Sequence, residues 1–385
     1  MEVSRIARVE TFLVPPRWVF LRIETDDGLV GWGEPIVEGR PAAVCAAVDE
    51  LVPQLIGRDA RRIEDIWQHA TRSSFYRGGP VLSSAVAGID QALWDVAGKR
   101  FGVPVHELLG GAVRDRVRMY GWLAGDRPDD VAASAHARLE QGLTCVKMNA
   151  SAQLAAIDTA DAVTAVIEQA HLVRDVMGPG RDFALDFHGR FSPAMARRVL
   201  PLLEPLLPMF VEEPVVPELA VERLPDITSS TTIPIATGER AYSRWDFQHL
   251  IPTGIAVVQP DVSHCGGISE MRRIAAQAET SGVAIAPHCP LGPIALAACL
   301  QVDFASPNFL IQEQSLGIHY NEGYDLLDYL VDTSVFDLVD GHIERLTGPG
   351  LGIEIDEHVM REAVKMGHTW SPAHWRHSDG SFAEW

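Results

Sequence analysis

The sequence predicts an α/β protein in which a small N-terminal α+β unit precedes a barrel of parallel strands. Three observations lead to this fold class. Residues 1–115 begin with a meander pattern and continue with helical periodicity. From residue 116 short apolar segments alternate with helices at intervals of 22 to 39 residues, as repeated βα units do. Nearly every apolar segment then ends in an ionisable residue, and the active site of a barrel lies at that end of its strands.

The N-terminal unit is predicted from turn and stop signals between apolar segments. Three extended segments are expected, at 6–13, 19–24 and 29–33. The turn sequence Asp26-Asp27-Gly28 separates the last two of them. Helices are expected at 41–56, which Gly57 would end, and at 82–100, which Gly102 would end. The unit should therefore be an antiparallel meander covered by helices.

The second unit supplies enough strands to close a barrel. Its first strand is expected at 118–122, and seven further strands should end at Lys147, Asp186, Glu212, Glu239, Asp261, His288 and Glu313. Eight parallel strands are the number found in a TIM barrel. An open doubly wound sheet is the alternative, although no G-x-G-x-x-G or G-x-x-x-x-G-K-[ST] motif accompanies a strand. The pattern therefore signals neither a dinucleotide nor a P-loop nucleotide.

Composition excludes several classes of function. The net charge of −20 repels phosphate backbones, so nucleic acid is not an expected partner. Apolar runs such as 292–300 are much shorter than the roughly 20 residues of a membrane helix. The charged N-terminal sequence is unlike a signal peptide. Five cysteines without a C-x-x-C pair fit a reducing compartment, and we expect a cytoplasmic protein.

Three carboxylates at the ends of consecutive strands predict a metal site. Asp186, Glu212 and Glu239 should converge at the C-terminal rim of the barrel. Ligation by oxygen alone favours a hard cation, with Mg²⁺ ahead of Mn²⁺. The alternative is that each carboxylate caps the helix after its strand. Glu213 is expected to point away from the trio, because side chains alternate along a strand.

Two histidines are candidates for acid–base chemistry. His188 lies two residues after the third strand's carboxylate, so a continued strand would turn both side chains the same way. Asp261 and His288 end the sixth and seventh strands, and a carboxylate beside an imidazole makes a plausible general-base dyad. The third and seventh strands face each other across a barrel. The alternative is a structural role, which we expect for His264.

The strand-end motifs, taken in order, resemble those of a known family. They read K-x-N, D-x-H, V-E-E-P, G-E-R, Q-P-D and A-P-H-C-P behind the N-terminal meander. This order is similar to the mandelate racemase subgroup of the enolase superfamily and extends over nearly the whole chain. The resemblance implies a modified TIM barrel, (β/α)7β, with an α+β capping domain. Residues 1–115 would form the cap, 116–330 the barrel, and 331–385 a segment that returns to the cap.

The resemblance also implies roles for the motif residues. The carboxylate trio would bind Mg²⁺. His288, oriented by Asp261, would remove the C2 proton of a sugar acid, and His188 would protonate the departing C3 hydroxyl. Glu313 would hydrogen-bond the substrate carboxylate. Further substrate contacts are expected from the capping loops and the second barrel strand, at Arg17, Trp18, Tyr76, Arg77, Lys147 and Asn149.

The expected reaction is dehydration of a sugar acid. D-x-H together with the Asp–His dyad is typical of acid-sugar dehydratases. Segments such as 185–190 and 286–299 resemble the corresponding segments of those family members that act on D-galactonate. Racemases carry a second lysine where this chain has Asn149, which disfavours racemisation. Dehydration of gluconate or mannonate, a racemase or cycloisomerase, and a non-catalytic sugar-acid binding protein are the alternatives. Barrels of this kind are often oligomeric, so a homo-oligomer is expected.

Overall fold

The structure is a computed structural model that describes residues 3–123, 125 and 130–384, and it begins with an antiparallel meander. The strands are β1 (Ile6–Val14), β2 (Trp18–Thr25) and β3 (Val30–Gly33). Val14 pairs with Trp18, so the connection from β1 to β2 is tight. Gly28 adopts a φ of +86° in the turn before β3, a conformation that glycine reaches without strain. The predicted meander is confirmed.

Helices cover one face of this meander. They are α1 (Pro41–Leu55), α2 (Ile63–Arg72), α3 (Pro80–Phe101) and α4 (Val105–Leu108). The sequence predicts α1 and α3 but gives no prediction for α2. Gly33 allows β3 to lie directly on α3, because a Cβ atom there would be 1.9 Å from the carbonyl oxygen of Gly88. Sheet and helix thus share one apolar core, which includes Leu21 and Leu93.

A closed ring of parallel strands follows. In the described residues its strands are β4 (Arg116–Trp122), β5 (Cys145–Asn149), β6 (Asp182–Asp186), β7 (Val211–Glu212), β8 (Ile235–Thr237), β9 (Val257–Val258), β10 (Ala284–Ile285) and β11 (Gln312–Glu313). Each strand from β4 to β10 pairs with the next. Ile285 bridges to Phe309 ahead of β11, and Gln312 of β11 pairs with Met119 of β4. The barrel prediction is therefore confirmed, and the open-sheet alternative is wrong.

Helices surround the ring, and the end of the chain returns to the meander. The helices are α5 (Val131–Glu140), α6 (Ala160–Met177), α7 (Pro193–Leu203), α8 (Pro217–Thr228), α9 (Arg244–Leu250), α10 (Ile268–Glu279) and α11 (Pro293–Ala305). A hairpin of β12 (Leu338–Val339) and β13 (His342–Glu344) then pairs with β4, and α12 (Glu357–Ala363) follows. His368 Nε2 lies 2.7 Å from the carbonyl oxygen of Trp18. Among the described helices, none combines the length and apolarity needed to span a membrane.

Carboxylates of the N-terminal unit cap two barrel helices. Glu34 accepts hydrogen bonds from the backbone amides of Gly292 and Ala295 at the start of α11, at 2.7 and 2.9 Å. Asp90 accepts from the backbone amide and the hydroxyl of Ser269 at the start of α10, at 2.9 and 2.6 Å. The first amides of a helix lack partners within the helix, so these carboxylates satisfy donors that would otherwise be buried unpaired. The two units are thereby held in one orientation.

Candidate active site

Strand pairing brings the predicted residues to one rim of the barrel. Asn149 pairs with Asp186, and Asp186 pairs with Glu212, so these three side chains start at one level. Asp261 and His288 lie beyond β9 and β10 but stay side by side through a parallel bridge. The predicted rim therefore exists, although β8, β9 and β10 end earlier than the sequence predicts.

Lys147 joins two carboxylates at the centre of this rim. Its side chain is completely buried, and its Nζ lies 2.6 Å from Glu212 Oε2 and 3.0 Å from Glu313 Oε1. Glu313 also accepts from the Trp122 indole at 2.6 Å and from the Cys289 amide at 2.8 Å. Burial alone would raise the pKa of Glu313, but the positive charges of Lys147 and His288 outweigh it and hold that pKa below its ordinary value. Glu313 is thus a fixed, ionised group.

The carboxylate trio has the properties of a cation site. Burial, and then the negative charge of Glu212, raise the pKa of Asp186 well above its ordinary value. Burial and the charge of Glu213 do the same for Glu239. Glu212 Oε1 is buried and has no hydrogen-bond partner among the described residues. Crowded carboxylates with an orphaned oxygen fit a hard divalent cation, because only oxygen donors are offered and their charges need neutralising.

His288 is held as the sequence predicts. Its Nδ1 lies 2.8 Å from Asp261 Oδ2, and its Nε2 lies 3.2 Å from Glu239 Oε2 and 3.9 Å from Glu313 Oε2. Burial lowers the pKa of His288, but Glu239, Glu313 and the bond to Asp261 outweigh burial and raise it well above its usual value. A cation on Glu239 would reduce this effect and favour the neutral imidazole. The arrangement therefore fits a base whose Nε2 faces the site.

His188 reaches the rim by a different route from the one predicted. Strand β6 ends at Asp186, and His188 has a φ of +52°, so the expected strand alternation does not apply. Its backbone amide donates to Asp186 Oδ1 at 2.7 Å, and its Nδ1 lies 3.2 Å from Asn149 Oδ1. A positive φ in a residue other than glycine is uncommon and is often found at functional sites. The left-handed turn, rather than an extended strand, sets the direction of this imidazole.

The prediction that Glu213 points away from the site is wrong. Strand β7 ends at Glu212, and Glu213 adopts a φ of +39°, so the alternation of side chains along the strand does not extend to Glu213. Its carboxylate is buried and forms an ion pair with Arg240. The Arg240 Nε lies 3.7 Å from Glu239 Oε1 as well. Arg240 therefore links Glu213 to the trio, a role that the G-E-R motif contains but that the sequence reading missed.

The capping-loop predictions divide into buried and exposed residues. Arg17 is buried, with Nη1 2.8 Å from Glu38 Oε1 and Nη2 donating to the carbonyl oxygen of Pro290, two residues after His288. Trp18 has no exposed surface and packs against Phe20 and Tyr329, so in this structure it is a core residue with no surface for a ligand. The prediction that Trp18 closes over the sugar is therefore corrected, because its side chain lies in the core. The cause is the β1–β2 turn, which directs Trp18 inward.

Tyr76 and Arg77 line a cleft between the N-terminal unit and the barrel loops. This cleft has a volume of about 940 Å³ and lies between α1, α2, the start of α3 and the loops that follow β8 and β9. Tyr76 is 82% exposed, and the lining residues include neither of the predicted catalytic histidines. Tyr242 and Ser243, which closely follow the G-E-R motif, line the same cleft, so Tyr76 and Arg77 border loops at the C-terminal end of the barrel. Their contact with a substrate stays a prediction.

His264 joins the Asp261–His288 pair, which the sequence analysis did not anticipate. Among the described residues these three form a buried group whose potential ligand atoms all lie within 4.8 Å of one another. His264 Nδ1 is 3.7 Å from Asp261 Oδ2, and its Nε2 is 3.8 Å from Glu38 Oε2. The predicted trio is not part of this group. His264 therefore connects the dyad to the Glu38–Arg17 pair of the N-terminal unit.

Fold and site together define the class of protein. Residues 10–110 match the N-terminal domain of the mandelate racemase / muconate lactonizing enzyme family, and residues 130–359 match the enolase C-terminal domain-like family. The chain therefore belongs to the enolase superfamily, in its mandelate racemase subgroup. The predicted family is confirmed.

Individual relatives are similar to this chain over nearly its whole length. The chain is 53% identical to the D-galactonate dehydratase of Variovorax paradoxus (strain S110), over 99% of this chain and 100% of the relative. It is 50% identical, at the same coverage, to the D-galactonate dehydratase of Pectobacterium atrosepticum. The fold is similar to an enolase of Agrobacterium radiobacter with bound Na and L-malate, with a TM-score of 0.89, 33% identity, and coverage of 99% and 100%. A mandelate racemase/muconate lactonizing enzyme of Sulfitobacter sp gives a TM-score of 0.85 at 28% identity, covering 94% and 95%.

Proposed function

We propose that this protein is a Mg²⁺-dependent acid-sugar dehydratase that converts D-galactonate into 2-dehydro-3-deoxy-D-galactonate and water. The observation that carries the reaction class is the His288 imidazole, which Asp261 holds at Nδ1 so that Nε2 faces the rim. The D-galactonate dehydratases that share half of its residues over their whole length support the substrate. A homo-oligomer, with residues 1–115 as cap, 116–330 as barrel and 331–385 as the returning segment, is part of the proposal.

The site residues divide the chemistry between two sides of the substrate. Asp186, Glu212 and Glu239 would hold Mg²⁺, which as a Lewis acid would draw negative charge from the substrate carboxylate. His288 Nε2 would take the C2 proton, and the electron pair released would be delocalised into the carboxylate. Lys147, bonded to Glu313, supplies a positive charge that opposes the build-up of negative charge.

His188 completes the elimination. As the electron pair forms the C2=C3 double bond, the C3–O bond breaks and the oxygen leaves as water with a proton from His188. The resulting enol becomes the 2-keto-3-deoxy acid by tautomerisation. Asn149, which faces His188, cannot accept a proton usefully. The second strand therefore supplies no base on the His188 side of the substrate, which favours elimination over racemisation.

The first test is turnover on a panel of stereoisomeric hexonates and pentonates. With Mg²⁺, we expect 2-keto-3-deoxy product, detected with semicarbazide, from D-galactonate, and we expect EDTA to abolish it. Product from gluconate or mannonate instead would keep the reaction and change the substrate. No product from any sugar acid would overturn the proposal and favour a binding protein.

The second test concerns the base. In D₂O, the His288→Asn variant should lose both turnover and exchange of the C2 proton, while His249→Asn, at an exposed position on α9, should keep both. The two are matched substitutions of one residue type. Exchange that persists in His288→Asn would show that another group removes the proton.

A further inference from the structure

The C-terminal segment extends beyond the cap to the rim of the barrel. The backbone amides of Thr369 and Trp370 donate to the carbonyl oxygen of Pro16, which fixes the segment to the β1–β2 turn. The chain then makes a tight reversal in which Arg376 pairs with Phe382. Trp375, at the start of this reversal, is 93% buried within the single chain. A terminal segment that buries a tryptophan so completely is docked on the protein surface.

Trp375 docks on an arginine next to the predicted acid. The Arg190 guanidinium carbon lies 4.4 Å from the Trp375 ring centroid, and both side chains are nearly completely buried. Burial strengthens such a cation–π contact, because water no longer competes for the charge. Arg190 Nη1 donates to the carbonyl oxygen of Ser151 at 2.6 Å, so the guanidinium is anchored at one end. Its other end faces His188.

Arg190 limits the orientation of the His188 ring. Its Nη2 lies 3.4 Å from His188 Nδ1, and the Asn149 Oδ1 oxygen lies 3.2 Å from the same nitrogen. According to its protonation, Nδ1 accepts from Arg190 or donates to Asn149, and both contacts hold it on the same side. A guanidinium is only a donor, and its planar fork has a fixed direction. The Nδ1 edge is thereby turned toward Arg190 and Asn149, and the Nε2 edge is the one that can serve the C3 hydroxyl. The left-handed backbone of His188 places the ring, and Arg190 sets its rotation.

We infer that Trp375 is a positioning residue for the elimination step, acting through Arg190 on His188. This inference rests on the proposed function. Without the indole, Arg190 would keep its bond to Ser151 but lose the surface that fixes its plane. The proton donor would then be misaligned, whereas proton removal by His288 on the opposite side of the barrel would be untouched. A second contact of the same segment supports its docking, since Glu384 Oε1 lies 3.9 Å from Arg240 Nη1.

The test separates the two half-reactions. Substrate is incubated in D₂O, and deuterium at C2 of remaining substrate is compared with 2-keto-3-deoxy product. General acid catalysis is worth about 100-fold or more, so partial misalignment in Trp375→Leu should lower dehydration about tenfold and raise the exchange-to-dehydration ratio by a similar factor. Trp375→Phe, which keeps an aromatic face for Arg190, should restore most of the wild-type ratio.

Phe382→Leu is the matched control. Phe382 lies on the same reversal but is 70% exposed and packs on Arg376 rather than on Arg190. It should leave the ratio unchanged. An unchanged ratio in a folded Trp375→Leu variant, or an equal rise in Phe382→Leu, would overturn the inference.

A readout that does not need turnover separates this inference from the proposed function. The ring ¹⁵N signals of His188, identified by their loss in His188→Gln, should shift in Trp375→Leu and stay in place in Phe382→Leu. If wild type dehydrates no sugar acid but the His188 signals behave as described, the proposed reaction fails while the positioning contact stands. Signals that do not move in Trp375→Leu overturn the contact itself.

Discussion

Replacing Lys147 with methionine should destabilise the protein strongly, and Mg²⁺ should restore part of the loss. Methionine has nearly the same length and fills the same buried space without a charge. The substitution removes the ammonium that lies 2.6 Å from Glu212 and 3.0 Å from Glu313. Two buried carboxylates would then face each other without their shared partner.

The magnitude follows from what each carboxylate retains. Glu313 keeps its bonds to the Trp122 indole and the Cys289 amide. Glu212 keeps far less, because its Oε1 already lacks a partner among the described residues. Breaking a buried ion pair costs about 3–5 kcal/mol, and full burial leaves little solvent screening here. For a chain of 385 residues that is a fall in Tm of about 4–6 °C.

Thermal unfolding in EDTA and in saturating Mg²⁺ measures both effects. If Mg²⁺ binds the folded state as proposed, it should raise Tm in wild type. It should raise Tm more in Lys147→Met, because it neutralises the buried charge of Glu212 that has lost its partner. Lys99→Met is the control. It breaks the 2.7 Å ion pair with Asp95, which belongs to the N-terminal unit and includes none of the three carboxylates. Its deficit should not respond to Mg²⁺. A Lys147→Met variant as stable as wild type in EDTA, or a deficit that Mg²⁺ leaves unchanged, would refute the reasoning.

Two further predictions concern the N-terminal unit. Burial raises the pKa of Glu34 from 4.5 to about 8 against the hydrogen bonds from Ala295 and Gly292. The folded state then keeps a proton that the unfolded chain releases, so the contribution of Glu34 to stability is complete below about pH 4.5 and is lost as pH rises through about 8. Tm measured across that range should fall less steeply in Glu34→Gln than in wild type. An equal slope in the two proteins would contradict this argument. Gly33→Ala places a Cβ atom 1.9 Å from a backbone oxygen, so the free energy of unfolding measured by urea titration should fall by about 4 kcal/mol or more. Gly57→Ala, with open space around it but a φ of +81°, should lower it by about 1 kcal/mol. Equal losses would refute the packing argument.

The fold could be predicted from the sequence because its signals are local. Apolar segments, helical periodicity and the Asp26-Asp27-Gly28 turn each depend on a few neighbouring residues, and the repeating βα spacing limits how they assemble. The same spacing identifies the rim, since parallel strands present their ends together. The approximate positions of Asp186, Glu212 and His288 follow from this alone.

Side-chain directions at the rim could not be predicted, because they depend on where each strand ends. A strand that stops at Asp186 or Glu212 gives the next residues a turn conformation, and strand alternation no longer applies. His188 and Glu213 both have positive φ, and nothing in their own residue types announces it. The prediction for Trp18 failed for a related reason, since tertiary packing decides which way the first residue of β2 points after the turn. Arg240 directly follows Glu239, but its ion pair with Glu213 and the contact of Trp375 with Arg190 join residues distant in sequence, which local patterns do not report.

The contacts between the two units bear directly on the Asp261–His288 pair, the proposed base. Glu34 accepts a hydrogen bond from the backbone amide of Gly292, four residues after His288. Gln91 accepts from the Glu34 amide and donates to the carbonyl oxygen of Val262, the residue after Asp261. Both halves of the dyad therefore stand on loops that the N-terminal unit holds in place. The 2.8 Å bond between Asp261 and His288 depends on the relative position of those loops. The buried polar groups of the N-terminal unit therefore stabilise the fold and also set the geometry of the proposed base.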